Sequence, residues 1–185
     1  MSLSSELIEE VDQGNIQAVK NFIEQGGNIE AKNDDGWTLL HRSAWKGRTE
    51  IVEFLVDQGA NINARTTSDS KKPIHVAAKE GYQEIVDFFL GKRMRVDDAD
   101  NDKWTPLHYA AAYNHLELSE FLLGQHANIE AKNKNNKTPL DLAREKSHTK
   151  IVSFLMQPQL DQELINAATE GNLQIVKILL SQVLT

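Results

Sequence analysis

Three histidines recur along the chain at a nearly constant interval, and histidine is a common metal ligand and proton carrier. His41, His75 and His108 are separated by 34 and 33 residues. A zinc site needs ligands that converge on one point at bond distance. Histidines supplied one at a time by units that stack side by side are expected to form a row instead. The sequence therefore favours a structural role for them and predicts no bound metal or other cofactor.

Two other stretches resemble binding loops but have simpler interpretations. Asp34 and Asp35 precede Gly36 as acids do in a cation loop, yet acids before a glycine are also what a tight turn requires. The pair Gly26-Gly27 is too short for a phosphate-binding loop. The chain has no cysteine, which excludes a disulfide framework, cysteine-ligated zinc and a cysteine nucleophile. No catalytic constellation stands out, so we predict that the chain is not an enzyme.

The segments that carry the histidines are copies of one another. Four related tetrapeptides begin at intervals of 34, 33 and 33 residues: Thr38-Leu39-Leu40-His41, Lys72-Pro73-Ile74-His75, Thr105-Pro106-Leu107-His108 and Thr138-Pro139-Leu140-Asp141. A fixed period of this length indicates a solenoid of stacked units. Threonine at the start of the repeat is a good helix cap, and proline suits the first helical position.

These tetrapeptides resemble the repeat of the ankyrin family, and the resemblance covers nearly the whole chain. It implies an all-α solenoid of stacked helix–turn–helix pairs with short β-hairpin or loop fingers, forming a single domain over 1–185. It also implies that the histidine of each tetrapeptide hydrogen-bonds backbone between units. The units are predicted at approximately 4–32, 33–65, 66–99, 100–132, 133–159 and 160–185, the first being an N-terminal cap and the last an incomplete pair.

Departures from the repeat predict local differences. Arg93, Asn114 and His126 stand where other units have a glycine, and Arg93 costs roughly 1 kcal/mol if it must be left-handed. The step from Thr138 to the equivalent position near Gln162 is 24 residues rather than 33. The finger between the fifth and sixth units, near Pro158, should therefore be missing.

The last helix is unusually apolar for the end of an array. Lys177 is its one charged residue, among Leu173, Ile175, Val176, Ile178, Leu179, Leu180, Val183 and Leu184. An exposed apolar patch of this kind usually marks an interface. We therefore predict that a further repeat or a second copy of the chain covers this end.

Charge and hydropathy limit the classes of partner. The net charge is −7, with eight acids against two bases in residues 1–35, and six bases against two acids in residues 132–150. The acidic balance argues against a general nucleic-acid binder. The sequence contains neither a secretory signal nor an apolar run long enough to span a membrane. These observations indicate an intracellular, cytoplasmic protein.

In the ankyrin family, finger tips and the exposed ends of the first helices carry partner choice. Carried over to this sequence, the resemblance implies a partner-binding set of Trp37, Trp45, Lys46, Lys79, Trp104, Ala112, Tyr113 and Lys146. Trp and Tyr dominate binding hot spots because they bury large areas at little rotamer cost. Trp37 and Trp104 have a structural alternative, since an aromatic residue before the threonine is frequent in the family and packs on the neighbouring hairpin. Trp45 and Tyr113 are therefore the stronger candidates.

The predicted function is that of a non-enzymatic protein–protein interaction module or scaffold. It would bind a partner protein through its concave face and finger tips. The alternative is that these repeats are one segment of a larger toxin or secreted effector, whose active part lies outside residues 1–185.

Overall fold

Short helices joined by tight turns make up the chain in a computed structural model, which describes residues 5–183 apart from the side chains of residues 158, 159, 182 and 183. Eleven helices lie in this range: α1 (Ser5–Gln13), α2 (Ile16–Glu24), α3 (Leu39–Trp45), α4 (Thr49–Asp57), α5 (Pro73–Glu80), α6 (Gln83–Gly91), α7 (Pro106–Ala112), α8 (Leu116–Gly124), α9 (Pro139–Glu145), α10 (Thr149–Thr169) and α11 (Leu173–Val183). None of them combines the length and the apolar character that a membrane span requires.

The helices form two packed layers. The first helices of the units, α1, α3, α5, α7 and α9, lie side by side in one layer, and α2, α4, α6, α8 and the start of α10 form the other. This arrangement confirms the all-α solenoid of helix pairs. Small alanines such as Ala44, Ala77 and Ala110 are fully buried between the first helices and allow their close approach.

Residues with a left-handed backbone conformation occur at equivalent positions in the units. One set follows the first helix at Gly14, Gly47, Gly81, Asn114, Ser147 and Gly171; a second follows the second helix at Gly26, Gly59, Arg93 and His126; a third turns the finger at Gly36, Ser70, Lys103 and Asn136. Positive φ values of 68° at Arg93 and 64° at both Asn114 and His126 confirm that these residues replace glycine in a strained conformation.

Gly47 shows why some of these positions also need the absence of a side chain. Its φ is +65°, and a Cβ atom there would lie 2.5 Å from the ring of Tyr82 in the next unit. Both the backbone conformation and the space therefore favour glycine.

Threonine caps three of the first helices as predicted. The hydroxyl groups of Thr38, Thr105 and Thr138 accept from the backbone N–H three residues later. Lys72 takes the corresponding position in α5, and its ammonium group cannot accept a hydrogen bond. It instead donates to the side chains of Asn63 at 2.8 Å and Asp98 at 2.5 Å while remaining only 8% exposed.

The fingers are turns, and no β-strand occurs in residues 5–183. One backbone bond closes the finger from Asn33 N–H to the Trp37 carbonyl at 3.0 Å, and another closes the finger from Asp100 N–H to the Trp104 carbonyl at 3.1 Å. Successive fingers are joined by a backbone bond, for example from Lys134 N–H to the Asp102 carbonyl at 2.9 Å. Of the two predicted forms, hairpin or loop, the fingers take the loop.

The fifth and sixth units share one helix. The predicted boundary between 159 and 160 falls inside α10, which runs without a break over 21 residues. The finger is missing as predicted, but two separate helices are not formed there, so this part of the prediction is corrected. No glycine follows the α10 segment Ile151–Met156, and Gln157 bonds to Asp161 at 2.8 Å one turn later. The helix therefore continues where other units turn.

Both buried clusters end before the last helix pair, of which Ala167 and Leu179 are nevertheless buried. A large cluster joins units one to four, and a smaller one of Ala111, Leu140, Ala143, Ile151 and Leu155 joins units four and five. Ile175 is 43% exposed, although its equivalents Ile51, Ile85, Leu118 and Ile151 are at most 1% exposed. Leu173, Ile178 and Leu180 are also exposed, whereas the predicted contributions of Val183 and Leu184 lie outside the described side chains.

Candidate interaction surface

The last residues of the first helices form a continuous row across units two to five, which we call the helix-end strip. Its members are Trp45, Lys46, Lys79, Tyr113 and Lys146. Each lies at or just after the C-terminus of α3, α5, α7 or α9. The units place these residues beside one another because the helices that carry them pack side by side.

Trp45 is contacted by two cations at one end of the strip. The Arg42 guanidinium carbon is 4.6 Å from the centre of its ring and the Lys46 Nζ is 4.1 Å from it, both at cation–π distance. Trp37 meets Trp45 edge to face, with ring centres 6.0 Å apart and an interplanar angle of 86°. Trp45 is half-buried, so it is held in place while part of its surface stays accessible.

Asp12 from the first unit fixes these cations. Arg42 donates two hydrogen bonds to its carboxylate, and Lys46 Nζ lies 3.5 Å from it. Burial alone would raise the pKa of Asp12, but the hydrogen bond and charge of Arg42 hold that pKa below its usual range. The carboxylate therefore stays ionised and orients Arg42 against Trp45.

Tyr113 is the most exposed aromatic side chain of the strip. It is 48% exposed, and Lys79 Nζ from the preceding unit lies 5.4 Å from its ring centre. A groove of about 420 Å³ begins beside it, lined by Trp104, Ala112, Tyr113, Lys146 and His148. Residues from units four and five thus form one concave feature, which we call the Tyr113 groove.

An adjoining groove of about 440 Å³ is lined in part by Tyr109, a residue absent from the predicted set. The Tyr109 hydroxyl donates to Asp100 at 2.5 Å, and its ring lies 5.0 Å from that of Trp104. Burial, together with the bond and charge of Asp100, raises the pKa of Tyr109. Lys71 lies over the same ring at 5.6 Å. The sequence signal was available, since Tyr109 precedes Tyr113 by four residues on one helix face.

One residue of the predicted set, Ala112, is buried, and the two remaining tryptophans are half-buried. Ala112 is 6% exposed, and its carbonyl accepts a hydrogen bond from His148 at 3.1 Å. It lines the Tyr113 groove but offers little surface of its own. Trp37 and Trp104 are half-buried, with ring centres 6.0 and 6.1 Å from those of His41 and His108 in their own units.

The signature histidines join neighbouring units. The Nε2 atoms of His41, His75 and His108 donate to the carbonyls of Lys71, Asp98 and Lys137 at 3.0, 2.8 and 3.1 Å. Their Nδ1 atoms accept from the helix cap, as between Lys72 N–H and His75 at 3.0 Å. Burial lowers the pKa of all three, and that of His41 to about 4. Since both ring nitrogens are used, these histidines act as structural connectors.

A second row of inter-unit bonds lies beneath the strip and was not predicted. His115 Nε2 donates to the Lys79 carbonyl at 2.8 Å, His148 Nε2 to the Ala112 carbonyl at 3.1 Å, and Arg48 to the Asp12 carbonyl. Each donor directly follows a left-handed residue, and this shared position in the repeat is the sequence feature that could have identified these donors. These bonds fix the helix ends that carry Lys79 and Tyr113.

The predicted turn at Asp34-Asp35-Gly36 is also present. The Asn33 side chain accepts from the N–H groups of Asp35 at 3.1 Å and Trp37 at 2.8 Å, and Gly36 is left-handed with φ 78°. Within the described range, residues 5–183, no group of three or more His, Cys, Asp or Glu side chains is arranged to hold a metal ion.

Comparison with known proteins gives matches along most of the chain. A family model described as ankyrin repeats, in three copies, matches residues 7–100 and 74–164.

Three curated relatives match shorter parts. The inactive serine/threonine-protein kinase TEX14 of Bos taurus is 40% identical over 89 residues, which is 48% of this chain and 6% of that protein. Human protein phosphatase 1 regulatory subunit 27 is 33% identical over 88 residues, or 48% of this chain and 56% of that protein. The NF-kappa-B inhibitor cactus of Drosophila yakuba is 31% identical over 70 residues, 38% of this chain and 14% of that protein. The aligned part is therefore only a fraction of each relative.

Proposed function

Because the chain belongs to the ankyrin-repeat family, whose repeats are protein-interaction modules, we propose that it is a non-enzymatic module or scaffold that binds a partner protein through the helix-end strip and the finger tips. Trp45 and Tyr113 are its anchors. Positive charge comes from Lys46, Lys79 and Lys146. The surface beside the anchors is lined by Trp37, Trp104 and Ala112. An intracellular, cytoplasmic location belongs to the same proposal and is tested by cell fractionation.

The observation that carries this proposal is the pairing of aromatic rings with cations along the strip. Arg42 and Lys46 hold Trp45, and Lys79 lies over Tyr113 in the next units. Rings held in this way lose little conformational freedom on binding, and aromatic anchors of this kind dominate hot spots. The rings are also partly accessible, which a purely structural role does not require.

The names of the relatives support regulation rather than catalysis. They are described as an inactive kinase, a regulatory subunit and an inhibitor. What each of those proteins regulates is a property of that protein. The shared repeat supports only the proposal that this chain acts by binding.

A second proposal is favoured by the length of the relatives. The matched part is 6% of TEX14 and 14% of cactus, so repeats like these occur within much longer proteins. The chain would then be the recognition segment of a larger protein, such as a toxin or secreted effector, with its activity elsewhere. An immunoblot of the native protein tests this, because a band near 20.8 kDa would contradict it.

A selection experiment tests the binding function. The chain is used to select from a displayed library of protein fragments, and the Trp45→Ala/Tyr113→Ala double variant is used in parallel. Glu53→Ala/Glu120→Ala serves as the control, because both residues are exposed on second helices, α4 and α8, away from the strip, the fingers and the apolar end of the array. We expect the control to select the same fragments as the original chain and the double variant to lose them. Equal selection by all three proteins would refute the proposal.

A further inference from the structure

We propose that the Tyr113 groove recognises an extended acidic segment of the partner, in which an apolar side chain lies between two carboxylates. This inference rests on the proposed function above and specifies the chemistry of the partner. The apolar side chain would enter the groove, and the carboxylates would bind Lys79 on one side and Lys146 on the other.

The walls of the groove suit an apolar side chain. Trp104, Ala112 and Tyr113 contribute aromatic and methyl surface to a space of about 420 Å³. The one polar side chain on the wall that is fixed by a bond is His148, whose Nε2 already donates to Ala112. A side chain without hydrogen-bonding groups therefore leaves the bond of His148 intact, and the hydroxyl of Tyr113, a residue that is 48% exposed, can keep water as its partner.

Two lysines beside the groove have unused bonding capacity. Lys79 lies over the Tyr113 ring, and its nearest acid, Glu80, is 3.9 Å away, beyond hydrogen-bond distance. Lys146 lines the groove and forms no salt bridge in the part of the chain that the structure describes. Arg42 and Lys46 differ, since Asp12 pairs with both. A partner carboxylate would therefore gain charge-assisted bonds at Lys79 and Lys146.

The acids of the adjoining groove are already paired within the chain and do not attract a basic partner. Asp69 lies 2.5 Å from Lys71, Asp102 lies 3.4 Å from Lys134, and Asp100 accepts from Tyr109. Each is already paired within the chain. The chain as a whole carries a net charge of −7, so an acidic segment is repelled by most of the surface and attracted to this groove. This difference in charge between the groove and the rest of the surface determines where an acidic segment binds as well as which partner is bound.

The order of the residues sets the spacing in the ligand. Lys79, Tyr113 and Lys146 belong to units three, four and five, so a segment that crosses them meets a cation, a groove and a cation in turn. Alternate side chains of an extended peptide face the same side. The expected pattern is therefore acid–x–apolar–x–acid, which spans about 14 Å in an extended peptide.

A displayed library of random dodecapeptides provides the test. Selections use the original chain, the Lys79→Glu/Lys146→Glu variant, the Trp45→Ala/Tyr113→Ala variant, and a control, Lys132→Glu/Lys150→Glu. The control makes the same change in charge at two exposed lysines outside the groove. Circular dichroism checks that every variant is folded, and the selected sequences are then measured as free peptides.

We expect the original chain and the control to select the acid–x–apolar–x–acid pattern. The Lys79→Glu/Lys146→Glu variant should bind those peptides at least about tenfold more weakly, and the affinity should fall as salt is added. Selection that depends on Trp45 and Tyr113 but shows no acidic bias, or an equal loss in the control, would overturn the inference and leave the proposed function standing. Selection unaffected by Trp45→Ala/Tyr113→Ala, or no selection at all, would overturn both.

Discussion

At the level of single residues, each signature histidine connects two units as a neutral ring. Nε2 donates to the next unit while Nδ1 accepts at the cap of its own helix, as His41 does with Lys71 and Thr38. A proton on Nδ1 would break the cap and place a charge in the core. This geometry explains why the three histidines have a structural role. It also predicts that the stability of the fold decreases in acid.

We expect the free energy of unfolding to fall as the pH drops from about 6.5 towards 4. Burial lowers the folded-state pKa of His41 to about 4 from 6.5, so the unfolded chain takes up the proton first and is favoured by acid. This one shift corresponds to about 3 kcal/mol. Urea unfolding at a series of pH values measures it.

The matched variant for this prediction is His41→Gln, which removes the titrating ring. Its stability should be lower at neutral pH but should depend less on pH between 6.5 and 4. Carboxylates with lowered pKa, such as Asp12 and Asp141, lose their contribution only at still lower pH. An unchanged slope in His41→Gln would show that His41 is not responsible.

Trp45 is expected to contribute more to binding than to folding. It is half-buried and rests against Trp37, Arg42 and Lys46. Trp45→Ala should weaken binding of a selected partner fragment by about 2 kcal/mol or more, as hot-spot truncations do. Calorimetric titration measures this loss, and a collapse of the helical circular dichroism signal would instead identify Trp45 as a core residue.

At the level of elements, the change of histidine to Asp141 coincides with the missing finger. The histidines of units two to four bond to the carbonyls of Lys71, Asp98 and Lys137, which lie in or just before the next finger. No finger follows unit five, because α10 continues. Asp141 instead bonds within its own cap, accepting from the Thr138 N–H and hydroxyl, both at 2.9 Å.

Replacing a strained left-handed residue should stabilise its helix end. Arg93 follows the end of α6 and has a φ of 68°, a conformation that glycine adopts without a Cβ penalty. Arg93→Gly should raise the free energy of unfolding by about 0.5–1 kcal/mol, the reduced strain being partly offset by the flexibility of glycine in the unfolded chain. Thermal and urea unfolding provide the measurement. Arg95→Gly is the control and should lower stability, since Arg95 does not have a positive φ.

At the level of the whole molecule, the two ends of the array differ. Three acids, Glu6, Glu9 and Glu10, flank the apolar face of α1 and suit contact with water, whereas Asp12 pairs with Arg42 and Lys46 of unit two. The last pair leaves Ile165, Leu173, Ile175, Ile178 and Leu180 exposed by 42% or more. Positions that are buried in the interior units thus lack a neighbour here.

We propose that a second copy of the chain or a further repeat covers this end, and light scattering on residues 1–185 distinguishes the two. A second copy would give a mass that rises with concentration, and Leu180→Glu should return it to that of a monomer while improving solubility. Lys150→Glu, which also adds negative charge but lies outside the apolar surface, is the control. A strict monomer at high concentration would exclude self-association through this end.

The period and the turns followed from the sequence because they depend on local chemistry, and the structural role of the histidines was implied by the resemblance to the ankyrin family. A 33-residue repeat, threonine caps and left-handed positions are encoded by residue types at fixed spacing. The sequence also indicated Trp45 and Tyr113 as exposed aromatic candidates, and it located the missing finger from one shortened interval.

Tertiary structure alone decided which side chains meet between units. Asp12 binds Arg42 30 residues away, Lys79 lies over Tyr113, and His148 bonds to Ala112 36 residues away. These contacts depend on the distance and rotation between stacked helices, which no spacing rule fixes. The same holds for the continuity of α10 and for the exposure of Ile175, because both depend on whether a neighbouring unit packs against that part of the chain.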